Sequence, residues 1–248
     1  MSTRLLLCLI LLLPHATGQA RELTVSAASS LTEAFSEIGK RYEATHPGVR
    51  VRLNFGASGA LLQQIANGAP VDVFASADQE TMDRAQQQQL VAAAERHDFA
   101  GNALVVVVPA DSRLSMGSLQ ALADPGVARL AIGNPASVPV GRYAQKALES
   151  AGLWTVVSAK AVRALNVRQA LDYVARGEVD AAFVYATDAR LMLGRVRVAY
   201  EVPVRTPIRY PIAPIAGSRQ GGEARRFIDF VRSDAGQDIL RRHGFRAP

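Results

Sequence analysis

Apolar residues follow two different periods along this chain, and the period changes at short polar turns. The first example is the segment 23–27, which is typical of a strand. The residues that follow are spaced as on one buried face of a helix: Leu31, Ala34, Phe35, Ile38 and Tyr42. Ser30 lies at the junction with Glu33 three residues later, a capping-box pattern that predicts Ser30 as the helix N-cap. Such a strand-to-helix turn exposes backbone N–H groups and the positive end of the helix dipole, which together can hold an oxyanion.

The same alternation of strands and helices continues to the end of the chain. Further strands are predicted at 49–55, 71–75, 102–109, 129–132, 181–185, 196–202 and 210–215. Further helices are predicted at about 61–67, 79–90, 119–124, 142–151, 167–176, 187–193, 223–233 and 235–243. This order predicts an α/β protein with mostly parallel sheets flanked by helices.

No long linker divides the chain, so we expect two α/β lobes joined by crossing strands near 100–108 and 202–215. Lobe I would comprise residues 21–101 and 202–248, and lobe II residues 102–201. In such folds, ligands bind at the carboxyl ends of the strands, here in the cleft between the lobes.

The first 20 residues have the pattern of a secretory signal peptide. Arg4 precedes an apolar run over residues 5–13, and Gly18 and Ala20 supply small residues at a cleavage site. The apolar run is too short to span a bilayer. Cys8, the one cysteine of the chain, lies inside it, so the mature protein is expected to contain no disulfide, zinc-thiolate site or cysteine nucleophile.

The net charge does little to narrow the possible functions. Without Arg4, 27 basic residues stand against 22 acidic ones, which gives the mature chain a charge of about +5. This charge could attract small anions, but the arginines do not cluster beyond pairs, which favours scattered surface residues. No stripe of basic and aromatic residues is present, so a nucleic-acid partner is not expected.

The sequence contains few residues in arrangements that are typical of catalysis. His46, His97 and His243 have no acidic or nucleophilic partner at a recognisable spacing, and no nucleophile elbow, P-loop or zinc-protease motif is present. Asp72 and Asp78 flank a strand, where a buried or capping role explains them. We therefore predict neither an enzyme, nor a metal site, nor a cofactor.

The turns between strands and helices supply the candidate binding residues. Ser30 and Ser58 lie where a strand gives way to a helix, Val140 and Val167 each open a helix, and Tyr185 ends a strand. Singly, such residues are usually caps or core. Together they offer two hydroxyls, one phenol and free N–H groups, all of them neutral donors. A site made only of donors suits a fully ionised tetrahedral oxyanion, whereas hydrogen phosphate would need an acceptor facing its proton.

Seven motifs in a fixed order connect the chain with a known family. They are AASSLTEAF (27–35), FGASGAL (55–61), GAPVDVFASAD (68–78), the run 101–108, NPASVPVG (134–141), NVRQAL (166–171) and FVYATD (183–188). From Leu23 to Phe245 the chain resembles the periplasmic molybdate-binding proteins (ModA) of bacterial molybdate ABC transporters.

This resemblance implies a two-lobed, type II periplasmic-binding-protein fold that closes on its ligand by hinge bending. The family's ligand positions match Ser30, Ser58, Val140, Val167 and Tyr185, with the two valines acting through their N–H groups. The implied ligand is molybdate, with tungstate nearly indistinguishable and sulfate too small; the metal enters only inside the oxyanion. The implied partners are a membrane permease and its ATPase, and the implied state is a monomer in the periplasm.

Other functions remain open from the sequence. The nearest is the same fold binding sulfate, phosphate or a small organic anion. A secreted enzyme that uses the cleft, and a sensory ligand-binding module, are the alternatives from other classes.

Overall fold

Two five-stranded sheets form the framework of the protein, as seen in a computed structural model that describes residues 21–248. The predicted signal peptide, residues 1–20, lies outside the described residues. Each sheet contains four strands that run in one direction and one strand that runs against them. The prediction of an α/β fold with mostly parallel sheets is therefore confirmed.

The strands of the first sheet are given in spatial order. They are β2 (Val49–Gly56), β1 (Arg21–Ala28), β3 (Val73–Ala75), β10 (Ile208–Pro214) and β4 (His97–Asn102). β10 is the antiparallel member.

The second sheet repeats this arrangement. Its strands, in spatial order, are β7 (Ala161–Ala164), β6 (Leu130–Gly133), β8 (Ala181–Tyr185), β5 (Leu104–Pro109) and β9 (Val196–Val202). β5 is the antiparallel member. Residues 104–108 of β5 are all buried, as expected of a continuous apolar run in the middle of a sheet.

Helices follow most of the parallel strands. Those associated with the first sheet are α1 (Thr32–Thr45), α2 (Ser58–Ala66), α3 (Gln79–Gln87), α8 (Gly221–Arg232) and α9 (Asp234–Arg242). Those associated with the second are α4 (Pro139–Ser150), α5 (Trp154–Ser158), α6 (Val167–Ala175) and α7 (Ala186–Arg190). The remaining 3₁₀ segments are Ser29–Leu31, Ala93–Glu95 and Leu119–Ala123, so the helix predicted at 119–124 is a 3₁₀ turn instead.

The chain passes between the sheets twice. Ala103 alone separates β4 from β5, and residues 203–207 lead from β9 back to β10. The C-terminal helices then pack against α1 and β10. Buried aromatic rings hold this end together, with Phe35 and Phe99 5.6 Å apart and Tyr42 and Phe227 5.2 Å apart between ring centroids. These short crossings bring the carboxyl ends of the parallel strands of both sheets to one place.

The start of α1 differs from the prediction. Ser30 lies inside the 3₁₀ turn that precedes α1, and its hydroxyl makes no capping bond, so the capping-box interpretation is wrong. The two side chains of that pattern bond elsewhere: Ser30 Oγ lies 3.0 Å from Tyr210 Oη, and the Glu33 carboxylate pairs with Arg168. Long-range partners have replaced the local bonds that the spacing suggested.

Two other helix caps agree with the sequence. The Asp78 carboxylate accepts a hydrogen bond from the Thr81 N–H at 3.2 Å, and the Asn166 side chain accepts one from the Gln169 N–H at 3.0 Å. α4 begins earlier than predicted because Pro139 occupies its first turn, where a missing N–H costs nothing.

Candidate functional site

All five predicted binding residues line one small cavity between the two sheets. Its volume is about 10 Å³, close to the smallest space that holds a water molecule. The lining residues are Ala28, Ser29, Ser30, Gly56, Ala57, Ser58, Ala77, Val138, Pro139, Val140, Val167 and Tyr185. Sites for drug-sized molecules measure about 300–1,000 Å³, so this cavity suits only a very small occupant.

A larger groove lies beside this cavity but has different chemistry. It measures about 610 Å³ and runs between α3, α4 and the crossing segment at 203–206. Some of its charged side chains are paired with one another, as in the 3.0 Å contact between Lys146 Nζ and Glu80 Oε2. None of the five predicted residues lines it, so we place the candidate site in the small cavity.

Ser58 reaches the cavity from the first turn of α2, directly after β2. Its side chain is fully buried, and its Oγ accepts a hydrogen bond of 3.0 Å from the Ala77 N–H. A serine hydroxyl can donate one hydrogen bond and accept two. Because the Ala77 N–H occupies one lone pair, the Ser58 proton is left to point into the cavity.

Ser30 reaches the same cavity from the turn after β1. Its one side-chain bond is the 3.0 Å contact between its Oγ and Tyr210 Oη, in which either oxygen could donate. Ser29, which the sequence analysis did not select, lines the cavity as well. A serine preceding another serine at a strand end was the signal available for it.

Tyr185 closes the cavity from the end of β8. The ring is buried, and the hydroxyl donates a long hydrogen bond of 3.3 Å to the Ala77 carbonyl, which follows β3 of the first sheet. Burial raises the pKa of Tyr185 well above its usual value, so the phenol stays protonated. Its one proton is directed at the Ala77 carbonyl and has to turn from that long bond to reach an anion in the cavity.

Val140 and Val167 contribute backbone N–H groups. Val140 follows Pro139 in the first turn of α4, and Val167 is the first residue of α6. Neither N–H has a carbonyl four residues back in its helix, so both belong to the set of donors that a helix start leaves free. Each helix also directs the positive end of its dipole at the cavity.

A buried ion pair joins the two sheets beside the cavity. Arg142 of α4 is 7% exposed and donates from Nε to Asp78 Oδ2 at 2.7 Å and from Nη2 to Thr81 Oγ1 at 2.6 Å. The guanidinium also donates to the Pro135 carbonyl at 3.0 Å. Its charge is therefore neutralised by the carboxylate and does not enter the cavity.

A second arginine makes a similar bridge on the other side. Arg168 of α6 donates to both carboxylate oxygens of Glu33, at 2.9 and 2.5 Å. Its Nε lies 2.8 Å from Asp188 Oδ1 in a buried ion pair whose geometry is not that of a hydrogen bond. The partners of both arginines are distant in sequence, so no local pattern indicated these pairs.

Burial and charge act against each other in this second bridge. Burial raises the pKa of Asp188 to about 6, although Arg168 and the Tyr185 N–H favour its ionised form. Burial would also raise the pKa of Glu33, but the hydrogen bonds and the charge of Arg168 outweigh it and leave that pKa below its usual value.

A backbone hydrogen bond also connects the sheets at the rim of the cavity. The Gly59 N–H donates to the Ser137 carbonyl at 2.9 Å. A Cβ atom on Gly59 would lie 2.6 Å from that carbonyl oxygen, so only glycine permits this approach. Together with the arginine bridges, this contact describes a closed cleft.

The described part of the chain contains neither a metal-binding cluster nor a membrane-spanning helix. Within residues 21–248, no cluster of three or more His, Cys, Asp or Glu side chains is arranged to hold a metal ion. Over the same range, none of the helices has the length and apolar character needed to cross a membrane.

Comparison with known proteins identifies the family. The profile described as "Bacterial extracellular solute-binding protein" matches residues 23–246. The chain belongs to this family. Its members bind solutes outside the cytoplasm; the protein is accordingly a solute-binding protein and not an enzyme, and no cofactor is implied.

Individual relatives show the similarity that the motifs indicated. The chain is 34% identical to the molybdate-binding protein ModA of Escherichia coli, over 93% of this chain and 91% of that protein. The structure of the periplasmic molybdate-binding protein of Azotobacter vinelandii superposes with a TM-score of 0.80 at 24% identity, covering 91% of this chain and 99% of that one. The resemblance to the ModA family is therefore confirmed.

The fold alone does not identify the anion. The sulfate-binding protein SubI of Mycobacterium tuberculosis also superposes with a TM-score of 0.80, at 21% identity over 92% of this chain and 87% of that one. The choice of anion therefore depends on the cavity and on the relatives with higher sequence identity.

Proposed function

We propose that this solute-binding protein captures molybdate, and tungstate nearly as well, and delivers it to an ABC transporter. The observation that carries the proposal is the convergence of Ser30, Ser58, Val140, Val167 and Tyr185 on one cavity that is lined by uncharged residues. The E. coli relative at 34% identity is named a molybdate-binding protein, which supports the choice of anion.

The donors of this cavity suit an anion that carries no proton. Ser58 has one lone pair occupied by the Ala77 N–H, and Tyr185 is held in its protonated form. A fully ionised tetrahedral oxyanion can accept at every oxygen, whereas hydrogen phosphate would direct a proton at a donor. The two arginines beside the cavity are paired with Asp78 and Glu33, so they contribute little free charge. A guanidinium has no hydrogen-bond acceptor, so neither arginine could receive a proton from the anion.

The energy of such a site is sufficient without a bound metal or a charged side chain. Hydrogen bonds to a charged group contribute about 1.5–3 kcal/mol each, and a helix N-terminus adds about 0.3–1 kcal/mol. Five or more such bonds to a dianion can offset the cost of removing its water, because the cavity already holds the donors in place.

We further propose that the two sheets are the cores of two lobes that move about a hinge. Lobe I comprises residues 21–102 and 208–248 and lobe II residues 104–202, bounds that differ slightly from the predicted ones because they keep each strand with its own sheet. The crossings at 103 and 203–207 are the hinge. Support comes from the contacts that join the lobes around the cavity, the Gly59–Ser137 hydrogen bond and the two arginine bridges. Opening requires that these contacts break, together with the bond from Tyr185 to the Ala77 carbonyl and the pair of Lys146 with Glu80.

The remaining parts of the proposal concern location and partners. Residues 1–20 would direct the protein to the periplasm and be removed there. The mature monomer would dock on a membrane permease that is driven by an ATPase, with no nucleic acid involved. The match to the extracellular solute-binding family supports the location.

Calorimetric titration of the mature protein with molybdate, tungstate, sulfate and phosphate tests the choice of anion. We expect one site per chain, with molybdate and tungstate binding at least about 100-fold more tightly than sulfate or phosphate, a difference of about 3 kcal/mol. A preference for sulfate would instead support the function named for the SubI fold relative. A preference for phosphate, or no binding of any of the four, would contradict the proposal.

A further inference from the structure

Three buried polar side chains form a chain of hydrogen bonds behind Ser30. Tyr210 of β10 lies 3.0 Å from Ser30 Oγ, and Asn102, the last residue of β4, lies next to Tyr210. Asn102 also contacts Thr187 of α7, the helix that follows β8 of the second sheet. None of these three residues lines the cavity, and each is less than a tenth exposed.

The direction of this chain is set at Asn102. Its Oδ1 accepts a hydrogen bond of 2.9 Å from the Ala103 N–H, which fixes the position of the amide oxygen. Its Nδ2 therefore faces the other way and donates to Thr187 Oγ1 at 2.9 Å and to Tyr210 Oη at 3.2 Å. An amide nitrogen only donates, so Tyr210 must accept this bond.

The direction then passes to Ser30. Tyr210 has one proton, and its remaining partner in the described structure is Ser30 Oγ. Burial raises the pKa of Tyr210 well above its usual value, so this proton is retained. Tyr210 accordingly donates to Ser30, whose own proton is left for the cavity.

We propose that Asn102 and Tyr210 are positioning residues that hold the Ser30 hydroxyl as a donor and so exclude anions that carry a proton. The inference rests on the proposed function, because it explains how the same cavity rejects a protonated anion. Ser58 obtains the same orientation directly from the Ala77 N–H. Ser30 has no backbone donor in that role and depends on the side-chain relay.

The test compares anion preference in the wild type and in Tyr210→Phe. This substitution keeps the buried ring and removes the hydroxyl, so the Ser30 hydroxyl can rotate and accept a proton from hydrogen phosphate. We expect the affinity for molybdate to fall about 5- to 20-fold, as for the loss of one oriented hydrogen bond. We expect the ratio of the phosphate to the molybdate dissociation constant to fall by up to about the same factor, because phosphate gains an acceptor for its proton and so loses little affinity.

Tyr42→Phe is the matched control. Tyr42 is an equally buried tyrosine whose hydroxyl bonds to Glu223, in the first sheet's helical layer and away from the cavity lining. Its loss is expected to lower stability and leave the ratio of anion affinities unchanged. Asn102→Ala supplies a second variant, which frees the Tyr210 proton to point either way and should shift the ratio in the same direction.

The outcomes separate this inference from the proposed function. If Tyr210→Phe and Asn102→Ala lower the affinities for phosphate and molybdate by the same factor, the ratio of the two dissociation constants stays unchanged. Asn102 and Tyr210 would then have only a structural role, and the inference would be overturned. If the wild type prefers sulfate over molybdate, the proposed ligand is wrong, and the sulfate-to-phosphate ratio then tests the relay, since sulfate also carries no proton. A wild type that prefers hydrogen phosphate would overturn both.

Discussion

At the scale of single residues, the protein's own donors decide what each hydroxyl offers to a ligand. Ser58 accepts from the Ala77 N–H and Ser30 is bonded to Tyr210, so both oxygens are already engaged within the protein. A hydroxyl whose lone pair is occupied can still give its proton to an anion. A serine hydroxyl can both donate and accept a hydrogen bond. These contacts explain how two serines can form a site that binds an anion able only to accept.

Removal of the Ser58 hydroxyl tests this role. In Ser58→Ala, we expect the affinity for molybdate to fall about 10- to 150-fold, because a hydrogen bond to a charged group contributes about 1.5–3 kcal/mol. The measurement is calorimetric titration. Ser36→Ala is the control, since Ser36 Oγ bonds to a carbonyl of its own helix at 2.6 Å. Unchanged affinity in Ser58→Ala would remove that residue from the site.

Asp188 gives a prediction about pH. Its pKa is raised from 3.8 to about 6 in the folded protein, so its neutral form is favoured by folding. The stability that this group contributes is present below pH 4 and is lost as the pH rises through 6. Relative to the wild type, Asp188→Asn should therefore gain unfolding free energy between pH 4 and 7, by a few kcal/mol at about 1.4 kcal/mol per pKa unit.

Urea unfolding at several pH values measures this difference. The asparagine variant keeps an oxygen that can accept from the Tyr185 N–H, which Asp188 accepts at 3.3 Å in the wild type. A difference that stays constant from pH 4 to 7 would show that Asp188 is ionised throughout this range.

At the scale of elements, the first turns of three helices lie together at the site. α2 begins at the cavity from the first sheet, and α4 and α6 begin there from the second. These helices follow parallel strands, so their first turns share the edge where the two sheets face each other. The Gly59 N–H of α2 then reaches across to the Ser137 carbonyl just before α4.

Gly59 is expected to control closure without taking part in anion binding through a side chain. In Gly59→Ala, the added Cβ would meet the Ser137 carbonyl oxygen at 2.6 Å, so the closed arrangement is strained. We expect weaker molybdate binding by at least about tenfold, while the thermal unfolding of the anion-free protein changes little.

Gly39→Ala is the matched control for this prediction. Gly39 lies within α1 in the same sheet's layer, and an added Cβ there makes only an ordinary contact of 3.5 Å. It should leave anion affinity unchanged. If Gly59→Ala binds molybdate as tightly as Gly39→Ala, the contact with Ser137 is not part of the bound state.

The sequence predicted elements better than it predicted their long-range contacts. Alternating periods located the strands, and the position of each strand-to-helix turn selected all five predicted residues that line the cavity. The pattern of Ser30 and Glu33 led to a wrong cap, because it describes only local bonds. Tyr210 lies 180 positions from Ser30 in a strand with no distinguishing motif, so no local signal pointed to it.

At the scale of the whole molecule, charge is kept beside the cavity and out of it. Arg142 and Arg168 stand near the starts of the two cavity helices of the second sheet, and each reaches carboxylates of the first. These pairs join the lobes, while the cavity itself is lined by neutral groups. The arrangement separates the contacts that close the cleft from those that select the anion.

Glu33 and Glu37 allow this separation to be tested on one helix. Both carboxylates pair with arginines, but Glu33 pairs with Arg168 across the cleft, whereas Glu37 pairs with Arg242 and His243 on the same side. Glu33→Gln should weaken molybdate binding about two- to fivefold, as expected for a partly exposed pair, and Glu37→Gln should not. Equal effects of the two substitutions, measured by calorimetry, would contradict a closing role for the Arg168 bridge.

A crystal structure of the mature protein with molybdate, using anomalous scattering at the molybdenum edge, would locate the bound anion. The account predicts one molybdenum peak in the small cavity, with its oxygens within hydrogen-bond distance of the hydroxyls of Ser30, Ser58 and Tyr185 and of the N–H groups of Val140 and Val167. A peak in the larger groove beside α4, or a cavity that stays without molybdenum at saturating molybdate, would contradict it.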